Sequence, residues 1–279
     1  MGTLDGKVAI VTGCARVKGL GRAIALRLAR AGADLVVTDV KPGGTRNPFE
    51  AGEAESLAGW RGLESLVDEV QGLGRRAVAS IGDVGCKDDA ERMVAEGLDY
   101  FGRVDILVNN ASAPHGVDRD WIWKVPEEAW DEVFRVNTKG PFLMSSAVIR
   151  HLLEHKLQGR IINITSIAGR RGSPQRAAYS ASKFAVTGLT QSMALELAPY
   201  GITVNAVCSG PMDTARGASR AARAAHSTDD EFAAPPPTTP VGRIGAPEDI
   251  ARAVVFLAEP GASFITGESI TVSGGELIF

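Results

Sequence analysis

The sequence has little cysteine and no long hydrophobic run. Its three cysteines, Cys14, Cys86 and Cys208, are far apart and fit neither a disulfide framework nor a zinc site. No apolar run approaches the roughly 18 residues of a membrane span, and the segment from Val8 to Val11 is also too short for a signal peptide. We therefore expect a cytoplasmic enzyme or binding domain whose thiols stay reduced.

An excess of charge of either sign is also absent. The chain carries 30 basic and 33 acidic side chains, which gives a formal net charge of −3 at pH 7. Nucleic-acid-binding proteins carry a basic patch or stripe, and proteins that bind a membrane surface carry a basic face. The sequence therefore predicts neither a nucleic acid nor a membrane as a partner, and it favours a small-molecule substrate.

Histidine is scarce as well, with four in the whole chain. His151 and His155 are four residues apart on a predicted helix, a spacing that can bind a metal. No third ligand is apparent in the sequence, and a cation is favourable near a helix C-terminus without any metal. We therefore predict no metal site.

Short apolar runs rich in β-branched residues alternate with longer segments of helical periodicity. The predicted strands cover 7–12, 33–39, 76–83, 104–110, 160–166, 202–208 and 269–274. The predicted helices cover 19–32, 62–73, 87–101, 126–155, 178–198 and 247–258. Continuous apolar strands that alternate with helices are typical of a parallel sheet covered on both faces. The sequence thus predicts an α/β fold, a doubly wound, Rossmann-like parallel sheet, in a single domain of residues 1–279.

Two long segments interrupt this alternation. Residues 41–60 are rich in glycine, proline and glutamate, and we interpret them as a tolerated surface insertion after the second strand. Residues 213–239 begin with an Ala/Arg-rich stretch and end in a run of prolines. Long loops in compact domains are usually functional or disordered. Because of its position relative to the residues discussed below, we expect the second segment to be a mobile substrate lid.

A glycine-rich turn connects the first predicted strand to the first predicted helix. Gly13, Gly19, Leu20 and Gly21 lie at this junction. In dinucleotide-binding proteins, backbone N–H groups and the positive end of a helix bind a pyrophosphate at such a turn, and a β-carbon would block its approach. A purely structural turn uses the same residues, so the glycines alone do not distinguish the two roles.

A carboxylate stands where an adenine ribose would need one. Asp39 ends the second predicted strand, 20 residues (39 − 19) after Gly19, where it can bond both ribose hydroxyls. Its alternative role is to cap a turn. A 2′-phosphate would place negative charge against this carboxylate, so the sequence predicts NAD as the cofactor rather than NADP. The counter-argument is that Arg16, Lys18 and Lys41 are close in sequence, because a cation would offset the phosphate.

A tyrosine and a lysine form the candidate catalytic pair. Tyr179 and Lys183 are four residues apart in YSASK, so both lie on one face of a predicted helix. A phenol with a pKa near ~10 is a poor catalyst at neutral pH, but a nearby ammonium lowers that pKa. Ser166 ends the preceding strand, where its hydroxyl can hold a substrate oxygen. Alone such a pair is mostly a chance arrangement; in order with Ser166, Asp39 and the glycine turn it is a strong signal of a catalytic site.

This constellation resembles the short-chain dehydrogenase/reductase family over nearly the whole chain. The matching segments are TG…GLG (12–21), Asp83-Val84, NNA (109–111), Asn137, ITSIAG (164–169), YSASK (179–183), SGPMDT (209–214) and ITGESITVSGG (265–275). The resemblance implies one doubly wound domain, usually assembled as a homotetramer, partly through helices 126–155 and 178–198.

The resemblance also implies a catalytic tetrad. Tyr179 would be the acid–base residue, and Ser166 would orient and polarise the substrate oxygen. Lys183 would bind the nicotinamide ribose and tune Tyr179. Asn137 would complete the tetrad by holding a water that relays protons towards Lys183; its alternative role is that of a polar residue packed inside a long helix.

Further cofactor contacts follow from the same resemblance. Asp83 and Val84 are expected to contact the adenine, and Asn109 and Ala111 are expected to line the cofactor cleft. Thr214 and the backbone around Met212 are expected to contact the carboxamide.

The sequence departs from the family pattern at three places. The usual glycine turn has three residues between its first two glycines, whereas Gly13 and Gly19 enclose five, CARVK. Ser112 stands where a glycine often follows NNA, and Ser209 replaces a frequent proline. None of these changes removes a catalytic group, but they leave the geometry of residues 14–18 and of the substrate end open.

We therefore expect an NAD-dependent oxidoreductase that transfers a hydride between NAD(H) and a secondary alcohol or its ketone. One alternative is a 3-oxoacyl thioester reductase that uses NADPH, which employs the same tetrad but would be favoured by a basic patch for a carrier protein. The other is a catalytically silent dinucleotide-binding regulator, against which the intact Ser166, Tyr179 and Lys183 argue.

Residues near the expected substrate mouth carry two further interpretations. Trp121 and Trp123 either wall an apolar pocket or anchor a loop. Arg216, Arg220 and Arg223 are interpreted as a solvated lid face rather than as contacts to an anionic substrate.

Overall fold

The computed structural model describes residues 2–47, 59–217 and 239–278. The strands of these residues are β1 (Val8–Thr12), β2 (Asp34–Asp39), β3 (Ala77–Ile81), β4 (Ile106–Asn109), β5 (Arg160–Ser166), β6 (Thr203–Ser209) and β7 (Ser269–Val272). They form one parallel sheet in the order β3-β2-β1-β4-β5-β6-β7. The predicted doubly wound, Rossmann-like sheet is confirmed, and each strand lies where the apolar runs predict it.

Helices cover both faces of the sheet. They are α1 (Leu20–Arg30), α2 (Leu63–Gly72), α3 (Lys87–Phe101), α4 (Glu127–Phe134), α5 (Gly140–Glu154), α6 (Ala177–Leu197) and α7 (Pro247–Ala258). One face packs against α1, α2 and α7 through a core that includes Leu28, Leu66 and Val254. The other face packs against α3, α5 and α6 through side chains such as Met93 and Met144. Burial on both faces explains why the strands are continuous apolar runs.

The position of β1 determines where a ligand can bind. Ile10 of β1 lies opposite Val36 of β2 on one side and Leu107 of β4 on the other. The strands that follow β1 in the chain, β2 and β3, lie on one side of it, and β4 to β7 lie on the other. The loops after β1 and β4 therefore lead to opposite sides of the sheet and diverge. Open α/β sheets bind ligands in the crevice that forms at such a switch point, outside the carboxyl ends of the strands.

The long helix predicted over 126–155 is interrupted. α4 is followed directly by a π-helical turn, Arg135–Lys139, and then by α5. Pro141 has no N–H, so the backbone carbonyl of Asn137 lacks the donor that a regular helix supplies four residues later. Such turns inside helices occur frequently at functional sites, and this one contains Asn137.

The described parts of residues 41–60 pack against the rest of the molecule. The side-chain Oδ1 of Asn47 accepts a hydrogen bond of 2.7 Å from the backbone N–H of His115. The indole N–H of Trp60 donates to the carbonyl of Ala15 at 3.0 Å. These parts therefore contact the loops at both sides of the crevice, and the interpretation of the segment as a tolerated surface insertion stays a prediction.

Residues 48–58 and 218–238, which make up the rest of that segment and most of the predicted lid, lie outside the described residues. The lid assignment thus stays a prediction. Within the described ranges, no helix combines the length and the apolar character needed to span a membrane. The same part of the chain holds no cluster of three histidine, cysteine or acidic side chains suited to a metal ion.

Candidate active site

Glycines determine the shape of the loop after β1. Gly13 has a φ of +72°, and a β-carbon there would lie 2.9 Å from the Cα of Ala111. A β-carbon on Gly21 would lie 2.2 Å from the carbonyl oxygen of Gly13. Gly19 caps α1, which begins at Leu20. Side chains are therefore excluded at the first and last of these glycines, and the N-terminus of α1 opens towards the crevice.

The enlarged glycine loop folds back over the end of β2. Cys14 is fully buried, and its N–H donates to the carbonyl of Thr38 at 3.0 Å. The next residue, Ala15, donates its N–H to Oδ2 of Asp39 at 3.0 Å. The enlargement thus connects the loop to the carboxylate that is predicted to bind a ribose.

Asp39 is fixed by backbone hydrogen bonds to both of its oxygens. Oδ1 accepts from the N–H of Val40 at 2.8 Å, and Oδ2 accepts from Ala15. Burial raises the pKa of Asp39, while these hydrogen bonds and the charges of Arg16 and Lys41 act in the opposite direction. Each carboxylate oxygen has a second lone pair with which to accept a ligand hydroxyl.

The residues after β3 form the next part of the wall. Asp83 accepts hydrogen bonds from the N–H of Gly85 at 2.8 Å and from the guanidinium of Arg135 at 2.6 Å. Val84 is buried against Gly140, where a β-carbon would lie 2.8 Å from its Cγ2. The π-helical turn therefore supplies an arginine that holds the Asp83 carboxylate in place.

The two asparagines after β4 have different environments. Asn109 is buried, and its amide donates to Oγ of Ser145 at 3.1 Å and to Oδ1 of Asn163 at 2.9 Å. Asn110 donates to the carbonyl of Gly13 at 3.0 Å and lines the crevice. Successive strand residues point to opposite faces. The expectation that Asn109 lines the cofactor cleft is therefore corrected, and Asn110 takes that position.

Tyr179 and Lys183 lie one turn apart on α6, beside the end of β5. The Nζ of Lys183 donates to the carbonyl of Ile164 at 3.0 Å and lies 5.8 Å from the centroid of the Tyr179 ring. Ser166, the last residue of β5, is buried, and its hydroxyl is near enough to the Tyr179 phenol to affect its pKa. The structure thus brings the three predicted side chains together.

The surroundings of Tyr179 favour its phenolate. Burial raises the pKa of Tyr179, but the charges of Lys183, Arg216 and Arg119, with the nearby Ser166 hydroxyl, outweigh burial and lower it from the ordinary tyrosine value. Burial lowers the pKa of Lys183, and the two arginines act in the same direction while Tyr179 opposes them. A phenol with a lowered pKa is suited to accept a proton from an alcohol.

Asn137 is 1% exposed, and its side chain is hydrogen-bonded to neighbouring residues. Its Oδ1 accepts from the hydroxyl of Ser112 at 2.9 Å and from the N–H of Ala113 at 2.8 Å, while its Nδ2 donates to Oγ of Ser182 at 3.1 Å. Both lone pairs of the amide oxygen are therefore occupied. Pro141 removes the donor that a regular helix would supply to the backbone carbonyl of Asn137.

In the loop after β6, Thr214 lies at the crevice, and the contact expected from the backbone around Met212 stays a prediction. Thr214 is buried and lines the crevice, and its N–H donates to the carbonyl of Met212 at 3.0 Å. The Met212 side chain packs against Gly245, where a β-carbon would lie 2.6 Å from its Cε, and it joins the core. Ser209, which stands in place of a frequent proline, also lines the crevice.

Arg216 is bound to the loop after β4. Its guanidinium donates to the carbonyl of Ser112 at 3.1 Å and to the carbonyl of Ala113 at 2.7 Å. The interpretation of Arg216 as part of a solvated lid face is therefore wrong. Arg220 and Arg223 lie outside the described residues.

Sequence reasoning also missed Arg119. This residue is buried, and its guanidinium carbon lies 4.2 Å from the centroid of the Tyr179 ring. No sequence pattern distinguishes a single loop arginine, so no signal was available to find it. Trp121 and Trp123 stack on each other with centroids 5.3 Å apart, and Trp123 is 74% exposed. Neither tryptophan is among the described side chains that line the crevice.

The crevice has a volume of about 450 Å³ and runs from Asp39 to Tyr179. The sequence-predicted residues that line it are Gly13, Gly19, Leu20, Asp39, Asp83, Val84, Ala111, Tyr179, Lys183 and Thr214. Gly21, Asn109 and Met212 pack beneath this surface. A glycine cradle, a carboxylate at one end and a phenol–ammonium pair at the other fit a nicotinamide dinucleotide.

Comparison with known proteins gives the same picture. Residues 13–276 match the family model described as enoyl-(acyl carrier protein) reductase. The chain is 36% identical to (2S)-((R)-hydroxy(phenyl)methyl)succinyl-CoA dehydrogenase subunit BbsD of Thauera aromatica, over 99% of this chain and 98% of that protein. It is 37% identical to the 3-oxoacyl-(acyl-carrier-protein) reductase FabG of Vibrio cholerae, over 98% of both.

A solved structure is similar along the whole chain. The crystal structure of carveol dehydrogenase from Mycobacterium avium in complex with NAD superimposes with a TM-score of 0.86. The two sequences are 29% identical, and the match covers 99% of each chain.

Proposed function

Because this chain belongs to the short-chain dehydrogenase/reductase family of oxidoreductases that act on CH–OH groups, we propose that it uses NAD(H) to interconvert a secondary alcohol and its ketone. The observation that carries the proposal is one continuous crevice with Asp39 at one end and Tyr179, beside Lys183, at the other. A catalytically silent regulator would not need this buried pair. We further propose that residues 1–279 work as one catalytic domain.

The cofactor would be held by groups at successive points of the crevice. We assign the glycine loop and the N-terminus of α1 to the pyrophosphate, and Asp39 to the hydroxyls of the adenine ribose. We assign Asp83 and Val84 to the adenine, and Ala111, Lys183 and Thr214 to the nicotinamide half. When bound, the dinucleotide supplies the hydride acceptor for alcohol oxidation or the hydride donor for ketone reduction.

The proton is handled by the protein's own side chains. In alcohol oxidation, Ser166 would hold the substrate hydroxyl beside Tyr179, and the Tyr179 oxygen would take its proton. Lys183 would keep the phenolate stable by its charge. A water on the backbone carbonyl of Asn137 would then carry the proton away past Lys183. Ketone reduction would run through the same groups in reverse.

Support for NAD rather than NADP comes from the fixed carboxylate of Asp39. Its position and its two backbone hydrogen bonds leave no freedom to turn away from a ribose 2′-substituent. Arg16 and Lys41 lie near enough for their charges to act on Asp39, and they oppose this preference. We expect the carboxylate to dominate because like charges at close range cost about 1–4 kcal/mol.

The proposal is tested by following NADH formation with a panel of secondary alcohols and NADH consumption with the matching ketones. We expect turnover with at least one pair, with NAD⁺ preferred to NADP⁺. Absence of turnover with every alcohol and ketone of the panel would refute the proposal.

A second candidate function is reduction of a 3-oxoacyl thioester with NADPH. It is supported by relatives such as the Vibrio cholerae 3-oxoacyl-(acyl-carrier-protein) reductase, 37% identical over 98% of this chain. The discriminating measurement is kcat/KM for acetoacetyl-CoA with NADPH against that for simple ketones with NADH. A preference for the thioester and NADPH would favour this second function.

We also propose that the enzyme works as a homotetramer in the cytoplasm. Phe142 of α5 and Phe184 of α6 are 50% and 46% exposed, and Phe134, Phe142 and Leu189 line a groove on that surface. Apolar surface of this kind is typical of subunit contacts. All three cysteines are free thiols, which suits a reducing compartment. Sedimentation equilibrium of the purified protein tests the tetramer, and cell fractionation tests the compartment.

A further inference from the structure

A second cation contacts the ring of the proposed catalytic tyrosine. The guanidinium carbon of Arg119 lies 4.2 Å from the centroid of the Tyr179 ring, closer than the 5.8 Å of the Lys183 Nζ. A guanidinium within about 6 Å of an aromatic centroid is attracted by the ring quadrupole. If the phenol loses its proton, the same geometry sets a full positive charge against a full negative one.

The loop after β4 places Arg119 in this buried position beside an acidic neighbour. Its side chain is only 3% exposed, and its Nε lies 3.1 Å from Oδ2 of the equally buried Asp118. Asp118 in turn accepts the N–H of Gly116 at 2.9 Å through its other oxygen. Burial lowers the pKa of Arg119 to about 10, so it remains charged at neutral pH.

Several charged or titratable side chains of the described residues surround Tyr179 and Arg119. They are Lys183 on α6, Arg176 just before α6, His115 and Asp118 in the loop after β4, and Arg216 after β6. The ring of His115 meets that of Tyr179 edge-on, with centroids 5.9 Å apart. Cations therefore approach the phenol from three separate segments of the chain.

We propose that Arg119 is a positioning residue that holds a positive charge against the ring of Tyr179 and thereby shares with Lys183 the stabilisation of its phenolate. The proposal rests on the acid–base role proposed for Tyr179. It differs from a substrate-binding role for Arg119, because it predicts an effect on Tyr179 in the free enzyme. The buried position explains why a long-range charge can act here, since screening by solvent is weak away from the surface.

The test is to titrate Tyr179 directly, without substrate or cofactor. The chain has three tyrosines, and subtraction of the tyrosinate absorbance of Tyr179→Phe isolates the titration of this one. Arg119→Gln should raise the pKa of Tyr179 by about one unit or more, which is the usual effect of losing a neighbouring opposite charge. Arg119→Lys should restore most of the wild-type value, because it keeps the charge.

A matched control comes from another stacked arginine. Arg76 lies just before β3, with its guanidinium carbon 4.9 Å from the centroid of the Phe101 ring, and it is not among the described residues that line the crevice. Arg76→Gln should leave the titration of Tyr179 unchanged. If an alcohol substrate has been found, the acid limb of kcat/KM should move to higher pH in Arg119→Gln by the same amount as the titration.

Loss of Arg119 leaves Asp118 buried with one charged neighbour fewer, so Arg119→Gln can unfold. In that event Asp118→Asn is compared with Asp118→Asn/Arg119→Gln, and the double variant should show the higher pKa of Tyr179. A pKa of Tyr179 that stays within about 0.2 units of its reference in Arg119→Gln, and in the double variant, would overturn the proposal, given that one neighbouring charge normally moves a pKa by more. Since no turnover is needed, this result is independent of whether the proposed reaction is right.

Discussion

At the Asp39 end of the crevice the decisive contacts are made by backbone, whereas at the Tyr179 end they are made by charged side chains. Asp39 is fixed by N–H groups, including that of Ala15 in the glycine loop. Tyr179 has Lys183 and Arg119 within 5.8 Å and 4.2 Å of its ring centroid. Backbone groups fix the shape of a site at any pH, while charged neighbours set a protonation state. One end is therefore suited to selecting a cofactor, and the other to moving a proton.

The two ends should also respond differently to substitution. At the Asp39 end a changed side chain alters which cofactor binds, and the proton-transfer groups stay in place. At the Tyr179 end a change of Tyr179 or Arg119 alters the rate or its pH dependence, and the cofactor still binds. Substitutions at either end, and at the contact between them, test this division.

Tyr179→Phe should give the largest effect. It keeps the ring but removes the hydroxyl that would exchange the proton, and general acid–base catalysis typically contributes about 10²–10⁴-fold to a rate. We expect kcat to fall by at least that factor while the Kd for NADH, measured by fluorescence titration, stays nearly constant.

A matched variant separates this effect from general damage. Tyr200 is 59% exposed and lies just after α6, so Tyr200→Phe should behave like wild type in both measurements. Retention of more than about a tenth of the wild-type kcat in Tyr179→Phe would show that another group transfers the proton, because a tenfold loss is below the usual range for such a residue.

Asp39→Ala should give the next largest effect, confined to cofactor choice. A 2′-phosphate carries a charge of about −1.5 to −2, and its repulsion by a carboxylate of about 1–4 kcal/mol corresponds to a roughly five- to thousandfold preference for NAD⁺. The kcat/KM with NAD⁺ divided by that with NADP⁺ should be smaller in the variant than in wild type, since Arg16 and Lys41 remain and attract the phosphate.

Asp39→Asn is the control for shape, because it removes the charge and keeps nearly the same volume. It should narrow the ratio almost as much as alanine does, if repulsion is the cause. A wild-type enzyme that prefers NADP⁺ would contradict the assignment, and it would mean that the two cations outweigh the carboxylate.

The contrast between the two ends also explains how much the sequence could predict. Strand and helix positions follow from apolar periodicity, and the glycine loop, Asp39, Tyr179 and Lys183 belong to local patterns of fixed spacing. Each of these depends on neighbours within a few residues or on the order of strands. The order of strands in the sheet is therefore enough to predict that these residues meet at one crevice.

What the sequence could not predict depends on contacts between distant segments. Arg119 reaches Tyr179 across 60 positions (179 − 119), and no pattern marks it in its own loop. The sequence assigns Asn109 to the cleft, whereas the structure has Asn110 there. In a strand of four residues, the direction of the last side chain cannot be told until the pleat is known. The break at Asn137 has a local signal, since Pro141 follows it at the distance that removes a helical donor.

The contact between the two ends should give the smallest effect. The Oδ1 of Asn47, in the loop after β2, accepts the N–H of His115, in the loop after β4, at 2.7 Å. This bond crosses the crevice and must open if the loops part to release a cofactor. A hydrogen bond contributes about 0.5–1.5 kcal/mol net, so Asn47→Ala should speed NADH dissociation by about two- to tenfold. Stopped-flow displacement of bound NADH measures the rate, and Asn47→Asp, which keeps an acceptor, should stay close to wild type. Equal dissociation rates in the alanine variant and wild type would mean that the two ends release the cofactor independently. The kcat of the variant would then show whether the hydrogen bond affects catalysis at the Tyr179 end.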